Sequence, residues 1–359
     1  MRPEPITTSE PRTIRGPVAT SEPRTMREPA ATSEARAEGP ADAGAGGDVV
    51  VSIRNLWTCY HTKRRTVKAC QDVSLDLRRG EVYSLVGESA CGKSTLGATI
   101  MNLLPDKTEV KGEIIFRGRN LLELDREELR QLRGKDIALI FQDPMTRLDP
   151  LMSIEDHFVE TLRSHGEIER EEARRRAALA LDAVGVPPSR LRDYPHQFSG
   201  GMRQRIMIAL ALVFEPALLI ADEATTSLDV VVQAQILRLL RQLRNRYGLA
   251  ILNITHDLGV VAEISDRVAV MYGGRVVEQG TAEEVFHQPA HPYTRGLLSS
   301  VIHMGSKSLS WIDGMPPDLG DPPPGCPYAP RCDRRRPQCE RWFPAAKWLS
   351  ATHRYCCVD

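Results

Sequence analysis

Short apolar runs alternate with amphipathic stretches along most of this chain. Residues 73–77 alternate apolar and polar side chains with a period of two, which is typical of a strand with one buried face. A charged, Ala-rich stretch at residues 167–184 predicts a helix. Short apolar runs, typical of the buried strands of a parallel sheet, occur at residues 137–141, 217–221 and, interrupted by Asn253, 250–254. Strands that alternate with helices in this way predict an α/β fold.

The composition divides the chain into three segments. Residues 1–47 are dominated by Pro, Glu, Arg, Ser, Thr and Ala and repeat a Thr-Ser-Glu motif with a period of 12. They have too few apolar residues to offset the entropy of ordering, so we predict a disordered extension, either inert or a docking tail. The α/β pattern occupies residues 48–290. Residues 291–359, which become rich in Pro and Cys, form a third segment.

Charge argues against a dedicated nucleic-acid binder, and hydropathy argues against a membrane-spanning protein. The chain has 47 Lys and Arg residues against 47 Asp and Glu residues, so it lacks the basic excess expected of a nucleic-acid binder. Its longest apolar run, residues 206–214, is much shorter than the roughly 20 residues that a membrane span needs. Residues 1–47 also lack the apolar core of a secretion signal. We therefore expect a cytosolic protein whose contact with a membrane depends on a partner.

A phosphate-binding loop is the sharpest local signal. Residues 87–95, Gly-Glu-Ser-Ala-Cys-Gly-Lys-Ser-Thr, match G-x-x-x-x-G-K-[ST] between a predicted strand and a predicted helix. Backbone N–H groups and the positive end of the helix favour an anion there. The Ser94 hydroxyl is expected to contact the nucleotide and to ligate Mg²⁺. Seven other residues of the loop are expected to contact the nucleotide: Gly87, Glu88, Ser89, Cys91, Gly92, Lys93 and Thr95. Ala90 stands where many such loops have Gly; if its φ is positive, the Cβ costs about 1 kcal/mol.

Two acidic residues end a predicted strand at residues 217–221. Asp222 is placed to hold Mg²⁺, directly or through water. Glu223, one residue further, is placed to polarise an attacking water. Taken alone, such a pair could equally cap the next helix, but the phosphate loop upstream favours the catalytic interpretation.

Four more motifs resemble those of ATP-binding cassette (ABC) proteins. Residues 198–205, Phe-Ser-Gly-Gly-Met-Arg-Gln-Arg, are similar to the family's signature loop, with Phe198 in place of Leu and Met202 where Gln is commonest. Residues 141–145 resemble the Q-loop of the family, residues 227–229 resemble its D-loop, and residues 254–257 resemble its H-loop. The order of all the motifs matches the family.

The resemblance implies a fold and an arrangement of sites. The fold would be a P-loop NTPase of ABC type, with a RecA-like core, an antiparallel β subdomain and a helical subdomain at about residues 143–215. Two cassettes would pack head to tail, so that each ATP lies between the phosphate loop of one subunit and the signature loop of the other. The residues implied in that second contact are Ser199, Gly200, Gly201 and, towards the opposite subunit, Asp229.

The same resemblance implies catalytic roles. Glu223 would be the general base, and His256 would hold the γ-phosphate and the attacking water in line. Gln142 would touch Mg²⁺ and sense the membrane partner. Tyr60 is similar to the aromatic residue that stacks on adenine, although ordinary packing is the alternative.

Five of the eight cysteines lie in the last 34 residues. A cytosolic location argues against disulfides, so a metal, an iron–sulfur cluster or free thiols remain open. Residues 291–298 and 323–332 resemble the C-terminal region of ATPases from oligopeptide and dipeptide importers, some of which bind a 4Fe-4S cluster there. That resemblance implies the ligands Cys326, Cys332, Cys339 and Cys357, with Cys356 as the spare thiol or the reverse.

The resemblance implies the ATPase subunit of a peptide importer, at the cytoplasmic face of the cell membrane. Its expected partners are a second ABC ATPase, identical or related, two transmembrane permease subunits and an extracytoplasmic solute-binding protein, with no nucleic acid. Its cofactors would be ATP, Mg²⁺ and the 4Fe-4S cluster. Similar ATPases serve nickel or glutathione uptake. A soluble ABC ATPase of DNA repair or translation is the alternative from another class; such proteins usually have two cassettes, a long coiled coil or zinc and basic insertions, which this chain lacks.

Overall fold

The structure is a computed structural model that describes residues 48–141, 147–226, 228–300 and 311–359. The strands in these ranges are Val49–His61 (β1), Thr66–Arg78 (β2), Val82–Val86 (β3), Thr108–Phe116 (β4), Arg119–Asn120 (β5), Ile137–Ile140 (β6), Leu218–Asp222 (β7), Ala250–Thr255 (β8), Arg267–Tyr272 (β9), Arg275–Thr281 (β10), Lys347–Trp348 (β11) and Arg354–Tyr355 (β12). The helices in the same ranges are Lys93–Ile100 (α1), Arg126–Leu132 (α2), Ile154–Arg163 (α3), Arg170–Ala183 (α4), Gly200–Leu212 (α5), Val230–Tyr247 (α6), Leu258–Ile264 (α7), Ala282–His287 (α8) and Pro292–Ser299 (α9).

A large mixed sheet forms the core, in the order β11-β12-β10-β9-β3-β8-β7-β6. Strands β9, β3, β8, β7 and β6 are parallel to one another, and β10 runs antiparallel to β9. The apolar runs of the sequence become β6, β7 and β8, as predicted, and every residue of β3 and β8 is buried. The prediction of an α/β fold is confirmed, and β3 lies at the centre of the sheet with its carboxyl end directed to the phosphate loop.

A second sheet is antiparallel, with the order β2-β1-β4-β5. The alternation predicted at residues 73–77 places Val73, Leu75 and Leu77 in the core, each at most 2% exposed, with half-buried polar residues between them. The two sheets share one apolar cluster, which joins this face of β2 to α1 and to β3. The antiparallel sheet is therefore fixed rigidly beside the strand that leads into the phosphate loop.

Helices α3, α4 and α5 pack against one another beyond the edge of the large sheet. The helix predicted at residues 167–184 is observed as α4, and its buried face consists of Ala173, Ala177 and Leu181, spaced by four residues. Ser153 begins α3 by accepting a hydrogen bond from the N–H of Asp156. None of the helices in the described ranges combines the length and the apolar character needed to cross a membrane.

The Cys-rich tail is attached to the large sheet through β12, which pairs with β10. The buried carboxylate of Glu278 on β10 lies 2.7 Å from Nε2 of His353, and it also accepts hydrogen bonds from the backbone N–H groups of Ala290 and His291. A buried charge costs free energy unless it is paired, so these contacts fix both ends of the tail to the sheet. The third segment of the sequence thus packs on the α/β core.

Candidate functional site

The phosphate loop connects the central strand β3 to helix α1. Gly92 precedes α1 with φ of 108°, and a Cβ there would lie 2.1 Å from the carbonyl oxygen of Ala69. A Cβ on Gly87 would lie equally close to the carbonyl oxygen of Met271. Both positions therefore need glycine, because other residues would clash with neighbouring backbone. The loop lies at the carboxyl end of parallel strands, where α/β sheets bind ligands.

Lys93 begins α1 and is buried, with only 5% of its surface exposed. Its Nζ donates hydrogen bonds to the carbonyl oxygens of Gly87 at 2.8 Å and Glu88 at 2.9 Å. The ammonium group is therefore held within the curve of the loop, at the positive end of a helix, where it can meet the phosphates of a nucleotide.

Cys91 lies in the same loop, but its side chain is directed into the apolar cluster beneath it. Burial raises the pKa of its thiol, against the lowering effect of nearby Lys93. Any contact between Cys91 and a nucleotide therefore depends on its backbone N–H group.

Ala90 adopts the left-handed conformation, with φ of 62°. The sequence left the sign of φ at this position open, and the structure shows that it is positive. The cost for a residue with a Cβ is about 1 kcal/mol relative to glycine.

We expect Ala90→Gly to raise the free energy of unfolding of the nucleotide-free protein by about 1 kcal/mol, because it removes this strain. Thermal or urea unfolding of the full chain measures the change. Ala98→Gly, in the interior of α1, is the matched control and should lower the free energy of unfolding by about 1 kcal/mol. A loss of stability in both variants would contradict the assignment of strain to Ala90.

Asp222 and Ser94 meet where β7 ends beside α1. Ser94 donates a hydrogen bond of 3.0 Å from its hydroxyl to Oδ1 of Asp222. Burial raises the pKa of the Asp222 carboxyl, which the hydrogen bond from Ser94 opposes. A carboxylate and a hydroxyl oxygen at this separation suit a hard cation such as Mg²⁺, whose charge would favour the ionised carboxylate.

Glu223 and His256 come together because β7 and β8 are adjacent parallel strands. Oε1 of Glu223 lies 3.1 Å from Nδ1 of His256, and the Thr226 hydroxyl donates to Oε2 at 3.3 Å. The backbone N–H of Glu223 donates to the carbonyl oxygen of Ile254, and φ of Glu223 is 49°. A non-glycine residue in this conformation is strained, and such strain concentrates at functional sites.

One cavity brings eight of the predicted residues together, from the phosphate loop, the end of β7, the end of β8 and β1. It is lined by the phosphate loop, by the Glu223–His256 pair and by Tyr60 of β1, whose hydroxyl donates to Oγ1 of Thr95 at 3.3 Å. Residues 317–319 of the tail also line it, a contribution that sequence analysis did not identify. The adjacent prolines 316 and 317 indicate an extended segment, but no local pattern indicates where that segment packs.

The tail segment is fixed at the cavity by two contacts with β2 and the turn before it. The carbonyl oxygen of Leu319 accepts a hydrogen bond of 2.9 Å from the backbone N–H of Lys68. Asp318 forms an ion pair with Arg65. The C-terminal segment is therefore part of the wall of the candidate nucleotide site.

Other predicted residues lie apart from this cavity. Ser199 caps α5 by accepting a hydrogen bond from Met202 N–H, so Gly200 and Gly201 form the first turn of that helix. Asp229 caps α6 by accepting hydrogen bonds from the backbone N–H groups of Val231 and Val232. The described chain does not bring either helix start to its own phosphate loop. Gln142 lies outside the described residues.

The four cysteines implied as cluster ligands line a second, small cavity in the tail: Cys326, Cys332, Cys339 and Cys357. Cys356 does not line it; its backbone N–H donates to the carbonyl oxygen of Val277, and its thiol lies near Arg354 and Arg275. Burial raises the pKa of Cys326 to about 11. Among the described residues, no three His, Cys, Asp or Glu side chains are placed closely enough to hold a metal ion.

Comparison with known proteins gives two family matches. Residues 70–226 match the family described as ABC transporter, and residues 277–339 match the family described as oligopeptide/dipeptide transporter, C-terminal region. The chain is 48% identical over 314 residues to the dipeptide transport ATP-binding protein DppD of Bacillus subtilis. The aligned region covers 86% of this chain and 94% of the relative. It is 46% identical to the oligopeptide transport ATP-binding protein OppD of the same organism, with 79% and 81% covered.

Two solved structures are similar in fold. One is a dimeric ATP-binding cassette in a post-hydrolysis state bound to ADP and phosphate; it is 29% identical with a TM-score of 0.57 and covers 65% of this chain and 98% of its own. The other is a component of an ABC transporter complex of Clostridium perfringens, 30% identical with a TM-score of 0.59, covering 67% of this chain and 92% of its own.

Proposed function

This chain belongs to the ATP-binding subunits of ABC transporters of the oligopeptide and dipeptide type, and on that premise we propose that it hydrolyses ATP to power peptide uptake through partner permeases. The observation that carries the proposal is the single cavity in which Lys93, Ser94, Glu223 and His256 meet. These residues come from three distant parts of the sequence, and together they provide phosphate binding, a metal ligand and a base. The C-terminal match to peptide transporters supports the substrate class.

The chemistry assigns a role to each group. Lys93 and the loop N–H groups bind the β- and γ-phosphates. Ser94 and Asp222 would hold Mg²⁺, which neutralises the charge that develops on the transferred phosphoryl group. Glu223 accepts a proton from the attacking water, and His256, within hydrogen-bond distance of Glu223, orients the carboxylate and the water. We propose Gln142 as a further metal contact and Tyr60 as the adenine-stacking residue.

We propose that a second ATPase subunit completes this site. The N–H groups at the start of α5, at Ser199–Gly201, would meet the γ-phosphate bound by the partner subunit, and Asp229 would contact that subunit. The partner is a second copy or a related ATPase. Because the signature loop lies outside the chain's own cavity, ATP binding by one subunit should not need it.

Gly200 gives a test of this arrangement. A Cβ at Gly200 meets nothing within 4 Å, whereas one at Gly201 would lie 2.6 Å from Val232. We expect Gly200→Val to fold and to bind ATP with unchanged affinity as an isolated chain, but to reduce hydrolysis at least 10-fold in the assembled transporter, because the side chain enters the inter-subunit site. Weakened binding by the isolated chain, or normal hydrolysis in the complex, would contradict the proposal.

The physiological role needs the whole assembly. We propose that the chain sits at the cytoplasmic face of the membrane through two permease subunits, with an extracytoplasmic protein delivering the solute. The proposed organisation is an N-terminal extension to residue 47, the ATPase domain at 48–290 and the Cys-rich domain at 291–359. Uptake of labelled di- and oligopeptides by vesicles with the reconstituted complex tests the function. Uptake of nickel or glutathione instead would leave the ATPase role intact and overturn the peptide substrate.

We also propose that the tail holds a 4Fe-4S cluster. The support is that four thiols line one cavity while the adjacent Cys356 does not. The resemblance of the tail to cluster-binding relatives is the second support, although no group of three metal-ligating side chains close enough to hold an ion is found among the described residues. Iron and acid-labile sulfide measured on anaerobically purified full chain test this; absence of both would refute it, and zinc in their place would identify a different metal.

A further inference from the structure

We propose that Arg331, in the Cys-rich tail, is a positioning residue for the phosphate loop. Its ion pair with Glu88 orients the loop and neutralises the charge of the Glu88 carboxylate. This inference rests on the proposed function, because it assigns a new group to the same nucleotide site. Arg331 is 243 residues from Glu88 in sequence, and no motif connects them. It lies in a short 3-10 turn, Ala329–Arg331, immediately before Cys332.

The guanidinium of Arg331 is fully bonded. Nη1 donates to Glu88 Oε2 at 2.7 Å and to the Tyr272 hydroxyl at 3.0 Å, and Nη2 donates to Glu88 Oε1 at 3.1 Å. The remaining donors reach the carbonyl oxygens of Ile312 and Asp313. All five N–H groups therefore have acceptors, and the side chain is only 6% exposed. A bidentate, buried pair of this kind fixes the Glu88 carboxylate in one orientation.

Glu88 is also fixed through its backbone. Its N–H donates to the Tyr293 hydroxyl at 2.9 Å, and its carbonyl oxygen accepts from Lys93 Nζ. Tyr293 is itself buried and packs against the ring of Tyr272, with centroids 4.4 Å apart. The first turn of the phosphate loop is thus held on the tail side by two contacts, one to the side chain of Glu88 and one to its backbone.

Arg331 also compensates the negative charge of Glu88. A carboxylate in a phosphate-binding loop repels the phosphates of a nucleotide unless a cation compensates it. Arg331 supplies that cation from outside the loop. Removing Arg331 should therefore leave a partly buried, uncompensated carboxylate in the phosphate loop, and the loss of affinity should increase with the number of phosphates.

The test measures equilibrium binding of fluorescent ATP, ADP and AMP analogues to the full chain. We expect Arg331→Met to weaken ATP binding about 10-fold, with a smaller loss for ADP and the smallest for AMP, and Arg331→Lys to lose about 3-fold. Adding Glu88→Gln to Arg331→Met should recover most of the ATP affinity, which a merely structural role of Arg331 would not produce. The matched control is Arg335→Met, since Arg335 is an exposed residue of the same segment with a 3.5 Å pair to Glu340.

The outcomes distinguish a failure of the role of Arg331 from a failure of the proposed function. Unchanged ATP affinity in both Arg331 variants, or equal losses for ATP and AMP without recovery by Glu88→Gln, would overturn this inference while leaving the proposed function intact. Failure of the unmodified chain to bind ATP would instead overturn the proposed function. If Arg331→Met does not fold, Arg331→Lys alone and with Glu88→Gln gives the same comparison.

Discussion

Replacing Glu223 with Gln should reduce ATP hydrolysis by the assembled transporter by at least about 100-fold, because general base catalysis contributes a factor of about 10² to 10⁴. The amide cannot accept the proton of the attacking water, yet it keeps the size of the side chain and its hydrogen bond to Thr226. ATP affinity should therefore be preserved, and the ATPase dimer should accumulate in its closed, ATP-bound form.

Glu263→Gln is the matched control, since Glu263 is exposed on α7, away from the cavity, and should leave hydrolysis unchanged. Steady-state phosphate release measures turnover, and size-exclusion chromatography with ATP and Mg²⁺ measures the closed dimer. Near-normal turnover in Glu223→Gln would show that another group acts as the base. Loss of ATP binding together with hydrolysis would mean that Glu223 supports the fold of the site and does not act in the chemistry.

Cys357→Ser should remove the iron–sulfur cluster proposed for the tail, whereas Cys356→Ser should retain it. The two residues are adjacent in sequence, but Cys357 lines the cavity with the other three thiols, whereas Cys356 does not and has Arg354 and Arg275 near its thiol. Loss of one of four thiolate ligands should lower the iron content of anaerobically purified protein from about four atoms per chain to nearly none.

Iron, sulfide and visible absorbance measure the result in both variants, alongside the unmodified chain. Because the two substitutions are chemically identical and one residue apart, general destabilisation of the tail should affect both equally. Retention of the cluster in Cys357→Ser and its loss in Cys356→Ser would exchange the assignment. Full iron content in both variants would exclude either residue as an essential ligand, and equal loss of iron in both would indicate destabilisation of the tail.

The sequence alone determined the α/β class, the phosphate loop and the acidic strand end, because each depends on local pattern. Apolar runs predict buried strands, and a G-x-x-x-x-G-K-[ST] loop after a strand predicts phosphate binding wherever it occurs. Observed β6, β7 and β8 differ from the predicted runs by only one residue at either end. The positive φ of Ala90, by contrast, was left open by the sequence and was decided by the structure.

Only the tertiary structure decided which distant residues meet. Adjacent parallel strands place Glu223 beside His256, a pairing that depends on strand order and not on spacing. The tail is anchored to β10 by the buried Glu278–His353 pair, and a separate contact of the tail joins Arg331 to Glu88 of the phosphate loop. The hydrogen bond from the backbone N–H of Cys356 to the carbonyl oxygen of Val277 fixes Cys356 outside the small cavity, which Cys357 lines. Such contacts form when the chain closes on itself, and no local pattern of residues encodes the partner.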